Sequence, residues 1–176
     1  QLAGPFSHIF SSKFIVVRGT CGTEQENEAL RTLADTILKS WQERYYVSCL
    51  MKNDNELTQK DIDTANLLLL GNFGSNCYLK KIAGRLPLKI DSNSIRISNK
   101  IVKGERLCFY MVYPNPLNRN RYIGIIGYNS RNGITIDSGV NILGDISSYG
   151  TADYKVWMPY SGDKELGFFD SDWTLR

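Results

Sequence analysis

The chain has little of what most hydrolytic and metal-dependent active sites require. Its 176 residues include a single histidine, His8, which lies in a loop before the first predicted strand. An α/β-hydrolase site needs a G-x-S-x-G turn and a histidine late in the chain, and the sequence has neither. No Cys-x-x-Cys pair and no cluster of histidine with carboxylates indicates a metal site. We therefore predict no catalytic residue and no metal ligand in this chain, and whether it belongs to an enzyme stays open.

Long hydrophobic runs are also absent. The longest, Asn66 to Leu70 with its neighbours, has the length of a strand, whereas a membrane-spanning helix needs about 18 apolar residues or more. With 42% hydrophobic residues the chain can form one substantial core, so we predict a single domain over residues 1 to 176 and no membrane span. The first residues, QLAGPF, contain neither an initiator methionine nor a signal segment, which predicts a domain excised from a longer protein.

The four cysteines, Cys21, Cys49, Cys77 and Cys108, are widely spaced. Cys49 and Cys108 lie in apolar runs typical of strands, where cysteine acts as a small buried hydrophobe. The number permits two disulfides, but the spacing assigns no pairing, so the redox state of the cysteines stays open.

The stretch from Phe14 to Trp41 is the clearest structural pattern in the chain. The β-branched and aromatic run Phe14 to Val17 predicts a buried strand of a parallel sheet. Thr23 and Glu26 have the spacing of a capping box, in which each side chain bonds the backbone of the other residue. A helix is predicted after it, because apolar residues recur every three or four positions: Leu30, Leu33, Ala34, Ile37, Leu38 and Trp41.

The rest of the chain alternates between strand and helix patterns at first and then becomes rich in strands. Apolar runs predict strands at Tyr45 to Met51, Asn66 to Leu70, Leu107 to Tyr113, Arg121 to Tyr128 and Tyr154 to Met158. A capped helical turn is predicted at Thr58, a helix from about Asn76 to the residue before Pro87, and antiparallel hairpins from Leu88 onward. Residues 129 to 152 are polar, with at most a short helix at Val140 to Leu143, and the tail GFFDSDW is expected to pack its aromatic rings on the body.

This order of elements predicts a three-layer α/β domain with a flavodoxin-like, mostly parallel sheet and an antiparallel hairpin insertion. Right-handed crossovers would place the loops after the first and third parallel strands side by side. In a flavodoxin-like strand order that position is the switch point where ligands bind.

The first of these loops, RGTCGT, has the character of an anion site. Backbone N–H groups, the hydroxyls of Thr20 and Thr23, and the flexible Gly22 meet the positive end of a helix dipole. A domain that binds FMN, a nucleotide or phosphate is therefore an alternative function. Three glutamates at the same helix end already interact with the dipole, so we expect no cofactor. A phosphatase-type mechanism at Cys21 would need an arginine six residues on, where the chain has Asn27.

Two further loops carry amide side chains that favour either a structural role or contact with a partner. GNFGSN follows the most apolar strand and presents Gly71, Asn72, Ser75 and Asn76. YPNPLN is held by two prolines and presents Asn115 and Asn118. If both loops lie at one edge of the sheet, they can bind a polar ligand or dock a neighbouring domain.

Positive charge is concentrated between Lys80 and Arg121. This segment has ten Lys or Arg residues and only two acidic residues, a local excess of eight positive charges in a chain of net charge +3. Such a segment can bind polyanions, which makes polyanion binding a third hypothesis. Lysines on edge strands also protect a sheet from aggregation, and we prefer this interpretation and expect no nucleic-acid partner.

Five segments together resemble a known family: GPFSHIFSSKFIVVRGT, NLLLLGNFGSN, YPNPLNRNRYIGIIG, DYKVW and GFFDSDW. They are similar to the C-terminal accessory module that follows the catalytic domain in secreted α/β-hydrolase, prolyl oligopeptidase-like proteins of Bacteroidetes-type bacteria. Two positions depart from that pattern, with His8 where aspartate is common and Phe73 where proline is common.

The resemblance implies a non-catalytic accessory domain of a secreted hydrolase. The catalytic serine would then belong to another domain of the same polypeptide, which is the expected partner, and the location would be extracytoplasmic. We take the GNFGSN and YPNPLN loops as the expected contact surface.

Overall fold

The structure is a computed structural model, and it describes residues 2, 4–130, 152–159 and 162–174. A 3-10 helix at Phe6–Ser11 precedes the first strand, β1 (Phe14–Arg18), and the long helix α1 (Glu24–Tyr45) follows it. Thr23 and Glu26 form the predicted capping box, since Glu26 N donates to Thr23 Oγ1 and Thr23 N donates to Glu26 Oε2. The indole of Trp41 lies 4.8 Å from the ring of Phe14, which fixes the far end of α1 on the strand.

The middle of the chain continues with short elements. These are β2 (Leu50–Asn53), a 3-10 turn (Asp54–Glu56), α2 (Gln59–Thr64), β3 (Asn66–Leu70), α3 (Cys77–Ile82) and a second 3-10 turn (Ala83–Arg85). The predicted helical turn at Thr58 and the predicted strand at Asn66 are confirmed. All five residues of β3 are buried, as expected for a strand that is covered on both faces.

The prediction of a strand at Tyr45 to Met51 was wrong over its first five residues. Helix α1 extends to Tyr45 and ends at Tyr46, whose left-handed backbone (φ 55°) closes the last turn. The ring of Tyr45 packs 4.3 Å from that of Trp41. Since this contact continues the helical stripe by one more turn, helix packing overrides the strand preference of the YYV sequence.

The second half of the described chain is mostly β-structure. A separate antiparallel sheet contains β4 (Leu88–Asp91), β5 (Ser94–Ile97) and β6 (Lys100–Lys103), which are the predicted hairpins. The strands β7 (Cys108–Asn115), β8 (Asn118–Tyr128), β9 (Tyr154–Met158) and β10 (Gly162–Gly167) join the main sheet. The helix predicted at Val140 to Leu143 lies outside the described residues.

The main sheet has the strand order β10-β9-β7-β8-β3-β1-β2. Strands β2, β1, β3 and β8 pair parallel with one another, whereas β7 pairs antiparallel with β8 and β9, and β10 pairs antiparallel with β9. The prediction of a three-layer, flavodoxin-like, mostly parallel sheet was therefore wrong: the sheet is mixed, and the protein is a strand-rich α/β fold. The reason is the tight turn at Pro116 and Leu117, because a turn of two residues can join only antiparallel strands.

The core lies on both faces of β3 and its neighbours. The 3-10 helix at Phe6–Ser11 places Phe6 and Ile9 over Gly124 in β8. As predicted, the tail packs its aromatic rings on the body: Phe169 and Trp173 are buried, and Trp173 Nε1 donates to the carbonyl of Leu2. No helix in the described ranges is long and apolar enough to cross a membrane.

Candidate functional site

The loops that follow β1 and β3 meet at one edge of the main sheet, because the two strands are parallel neighbours. Residues 19–23 and 71–76 form what we term the loop cluster. Gly19 N donates to Leu70 O at 3.1 Å, and Cys21 N donates to Ser75 O at 3.0 Å. The structure thus brings together Thr20, Gly22, Thr23, Gly71, Asn72, Ser75 and Asn76, as the sequence predicted.

A disulfide between Cys21 and Cys77 links the two sides of the loop cluster. The two cysteines are separated by 56 residues in sequence and by 6.0 Å between Cα atoms. Cys49 and Cys108 take part in no disulfide, and Cys108 is buried. The pairing was left open by the sequence, although both bonded cysteines follow a parallel strand by a few residues, which is the signal that could have paired them.

Asp54 is the residue of this site that the sequence reasoning missed. Its carboxylate is buried and accepts hydrogen bonds from Thr20 N (3.2 Å), Thr20 Oγ1 (2.6 Å) and Cys77 N (2.6 Å). Asp54 comes directly after β2, the other neighbour of β1, so its place behind a third parallel strand could have indicated its position. It ties both sides of the loop cluster to a third loop.

Sulfur and carboxylate atoms of Cys21, Asp54 and Cys77 lie within 4.8 Å of one another, a spacing that suits a metal ion. Both sulfurs are joined in the disulfide, however, and metals bind the thiolate form of cysteine. In this oxidised state the group therefore lacks the two sulfur ligands.

Most backbone donors of the loop cluster are already engaged within the protein. Gly22 N donates to Asn27 Oδ1, and Thr23 N donates to Glu26 Oε2. Across the cluster, the Oδ1 atom of Asn72 accepts from Gly74 N and Ser75 N, and Asn72 N donates to Ser75 Oγ. A phosphate group would have to displace these bonds, because its usual partners are such free N–H groups.

Asn76 and Ser75 have structural roles. Asn76 is fully buried and caps α3, with its Oδ1 accepting from Tyr78 N and Leu79 N and its Nδ2 donating to Leu70 O. Ser75 is also fully buried, and its Oγ lies 2.8 Å from the hydroxyl of Tyr128, which in turn lies 3.1 Å from Glu26 Oε1. Since Ser75 has no solvent access and the Tyr128 hydroxyl separates its Oγ from the Glu26 carboxylate, the arrangement is unsuited to a nucleophile.

A cavity of about 560 Å³ opens between the loop cluster and the turn after β4. The apolar side chains of Phe73 and Ile90 and the amides of Asn72 and Asn129 line it. The charged side chains that line it, among the described residues, are both acidic: Glu26 and Asp91. The cavity therefore suits a ligand or partner surface with hydrogen-bond donors and no negative charge.

The YPNPLN loop lies away from this cavity, so it does not share an edge of the sheet with the GNFGSN loop, which is the arrangement that would let both loops contact one ligand or partner. Strand β8 runs parallel to β3, and Asn118 begins β8, which places it near the amino ends of the parallel strands. Asn118 Nδ2 donates to Ile62 O in α2. Asn115 is fully buried, and its Oδ1 accepts from Tyr78 Oη and Leu117 N. The side chains of Asn115 and Asn118 therefore stabilise the fold through hydrogen bonds within the chain.

The basic segment is spread over several elements. Lys89 and Arg96 are cross-strand partners on the exposed side of the small sheet, and Lys103 is exposed on its third strand. Asp91 is exposed on the same strand as Lys89, which interrupts the positive surface. The structure thus divides the positive charge of this segment among several elements: Lys89, Arg96 and Lys103 lie on the small sheet, and Arg85 and Arg119 line a second cavity, of about 860 Å³, together with Asp172.

No protein-family model matches the chain, and no curated protein matches it.

Proposed function

We propose that the chain is a non-catalytic accessory domain that docks on the catalytic domain of a secreted hydrolase in the same polypeptide. The loop cluster and the cavity beside it are the proposed contact surface. The proposal rests on the resemblance of the five sequence segments to the accessory module of secreted hydrolases. The structural observation that supports it is the network of hydrogen bonds within the loop cluster.

That bonding favours docking over cofactor binding. The N–H groups that an anion would need are taken up by Asp54, Asn27, Glu26 and Asn72, so the loops are held in one conformation before any partner arrives. A surface that is ordered in advance loses little conformational entropy on association. Phe73 offers a half-buried aromatic side chain at its centre, which is typical of an interface anchor.

The disulfide favours a secreted location. Disulfides persist in oxidising compartments and are rare in the reducing cytosol, so a Cys21–Cys77 bond fits an extracytoplasmic domain.

Hydroxyl-radical footprinting of Phe73 tests the docking surface. In the chain of 176 residues we expect the ring of Phe73 to be oxidised, and in the full polypeptide we expect it to be protected by the catalytic domain. Phe168, which is 45% exposed in the tail, is the internal control and should react equally in both. Equal oxidation of Phe73 in both proteins would contradict the proposed surface.

A charge variant tests whether the acidic side chains of the cavity contribute to docking. Asp91→Lys places a positive charge in the acidic cavity, and we expect it to restore the oxidation of Phe73 in the full polypeptide. Asn120→Lys, an exposed position on the β7–β8 hairpin, is the matched control and should leave Phe73 protected.

Ester or peptide hydrolysis by the 176-residue chain alone, lost on mutation of one of its own residues, would overturn the non-catalytic assignment.

The alternative that the chain binds FMN, a nucleotide or phosphate is tested by thermal unfolding in the presence of each ligand. A ligand that binds the folded state raises the unfolding temperature. We expect no change, because most backbone donors of the loop cluster are occupied, and a rise with FMN would favour the alternative.

A further inference from the structure

The disulfide between Cys21 and Cys77 lies at the surface and does not hold the loop cluster together alone. Cys21 is exposed and lines the 560 Å³ cavity. Small molecules that enter this cavity therefore reach one sulfur of the disulfide directly, which is the first requirement for thiol exchange.

The surrounding hydrogen bonds hold the same loops in place independently of the disulfide. Strands β1 and β3 pair directly, and Cys21 N donates to Ser75 O at 3.0 Å. The carboxylate of Asp54 binds Thr20 on one side and the backbone of Cys77 on the other. Breaking the sulfur bond removes none of these contacts, so the fold does not have to open for the disulfide to be reduced.

The acidic side chains near Cys21 should make the rate of exchange depend on the charge of the attacking thiol. The cavity is lined by Glu26 and Asp91, and Asp54 Oδ2 lies 3.4 Å from Cys21 Sγ. Asp54 at this distance, together with Glu26 and Asp91 in the cavity lining, repels an anionic thiol and attracts a cationic one.

We propose that Cys21–Cys77 is a site of reversible thiol exchange in the folded protein, entered through the cavity at Cys21 and selective for cationic over anionic thiols. A thiolate attacks Cys21 Sγ and forms a mixed disulfide there. The bond to Cys77 breaks, and its electron pair leaves with Cys77 Sγ, which takes up a proton from water. A second thiol then attacks the mixed disulfide, releases the oxidised small thiol and leaves Cys21 as a thiol. The exchange does not rest on the docking proposal and is measured in the 176-residue chain. In the full polypeptide the proposed docking would cover this cavity, and we expect the exchange to be slower there.

The selectivity is measured with three thiols that differ in charge: cysteamine, 2-mercaptoethanol and 3-mercaptopropionate. The native protein is treated with each, quenched with an alkylating reagent, and the loss of the Cys21–Cys77 cross-link is followed by peptide mass mapping. Each rate is divided by the rate of the same thiol with a small neutral disulfide, which removes differences in intrinsic reactivity. We expect cysteamine to exceed 3-mercaptopropionate by about tenfold at low salt, and this ratio to fall at high salt.

Asp91→Asn removes one cavity charge with little change in shape and should lower the ratio. Asp63→Asn removes an exposed carboxylate on α2 and should leave the ratio unchanged. Equal normalised rates for the three thiols would overturn the entry through the cavity, as would a mixed disulfide mapped to Cys77.

Cys108 shows whether the protein stays folded during the exchange. It is 4% exposed and should resist alkylation while the cross-link is lost. If Cys108 becomes alkylated at the same rate as the cross-link disappears, exchange requires unfolding and the proposal is wrong. A non-reduced peptide map without a Cys21–Cys77 cross-link would also overturn it.

Discussion

Single side chains connect the loops of this protein, and Asp61 is the clearest ionic example. It caps α2 through Thr58 and receives Lys52 Nζ from β2 at 2.7 Å. Burial acts to raise the pKa of Asp61, but the hydrogen bonds from Lys52 and Thr58 outweigh it and lower the pKa from 3.8 to about 2. The folded state therefore favours the carboxylate more strongly than the unfolded chain does.

This pKa predicts an acid-sensitive contribution to stability. The stabilisation is fully present above the unfolded pKa of 3.8 and is lost as the pH falls through about 2. With allowance for solvent screening near the surface, it amounts to about 1 to 2 kcal/mol. Chemical unfolding of Asp61→Asn should show a lower free energy at neutral pH and a weaker pH dependence between these values. Asp63→Asn is the control and should behave as the unmodified protein.

Asn115 is a buried amide that accepts hydrogen bonds from two other residues. Its Oδ1 is the acceptor for both Tyr78 Oη and Leu117 N, whereas its Nδ2 is buried without a hydrogen-bond partner in the described part of the chain. Burial raises the pKa of Tyr78, although the bond to Asn115 opposes this, so the phenol stays protonated and can donate.

Removing this acceptor should destabilise the hairpin strongly. Asn115→Ala leaves the buried Tyr78 hydroxyl and the partly buried Leu117 N without their acceptor, and we expect a loss of about 2 to 4 kcal/mol in the free energy of unfolding. Tyr78→Phe keeps the bond to Leu117 and should cost only about 1 kcal/mol. Asn120→Ala on the exposed part of the same hairpin should change little, and an equally large effect there would contradict this account.

At the scale of elements, the 3-10 helix at Phe6–Ser11 depends on a glycine in the strand beneath it. A Cβ added at Gly124 would overlap the side chain of Ile9 and approach Phe6 Cε2 to 3.1 Å. The glycine therefore allows the helix to lie close on β8.

Gly124→Ala should push this helix away from the sheet and destabilise the protein by about 1 to 3 kcal/mol. Thermal or chemical unfolding measures the loss. Gly84→Ala is the matched control, because a Cβ there meets nothing within 4 Å. We expect Gly84→Ala to be neutral or slightly stabilising. Equal losses for the two variants would show that Gly124 has no special packing role.

Elements with local signals were predictable, and those decided by contacts across the sheet were not. The capping boxes at Thr23 and Thr58 depend on residues three positions apart, so the starts of α1 and α2 could be predicted from the sequence. The end of α1 could not, because the stacking of Tyr45 on Trp41 outweighs the strand preference of the residues that follow. The partners of Asp54 and Asn115 come from distant strands, and no local pattern indicates them.

At the scale of the whole molecule, the disulfide closes a loop of 56 residues that contains α1, β2, α2 and β3. A cross-link of this span restricts the unfolded chain, and the chain-entropy estimate gives about 4 kcal/mol of stabilisation. The double variant Cys21→Ser, Cys77→Ser should lose up to this amount and keep its native circular dichroism spectrum.

The stability of the double variant should also be insensitive to reductant, whereas that of the unmodified protein should fall to the level of the variant when reduced. Denaturant titrations with and without reductant make the comparison. Loss of the native spectrum in the double variant would show that the hydrogen bonds around Asp54 do not hold the loop cluster by themselves.

The sequence alone determined the local features: the buried β1 and β3 strands, the capped helices, the hairpins of the small sheet and the aromatic tail. Each depends on residues within one or two turns of one another, where periodicity and capping act. Only the tertiary structure decided the direction of β7, the pairing of Cys21 with Cys77, and the separation of the YPNPLN loop from the loop cluster. These depend on which strands lie side by side, and that choice is made by the simultaneous burial of all the strands in one core, which no single segment of the sequence specifies.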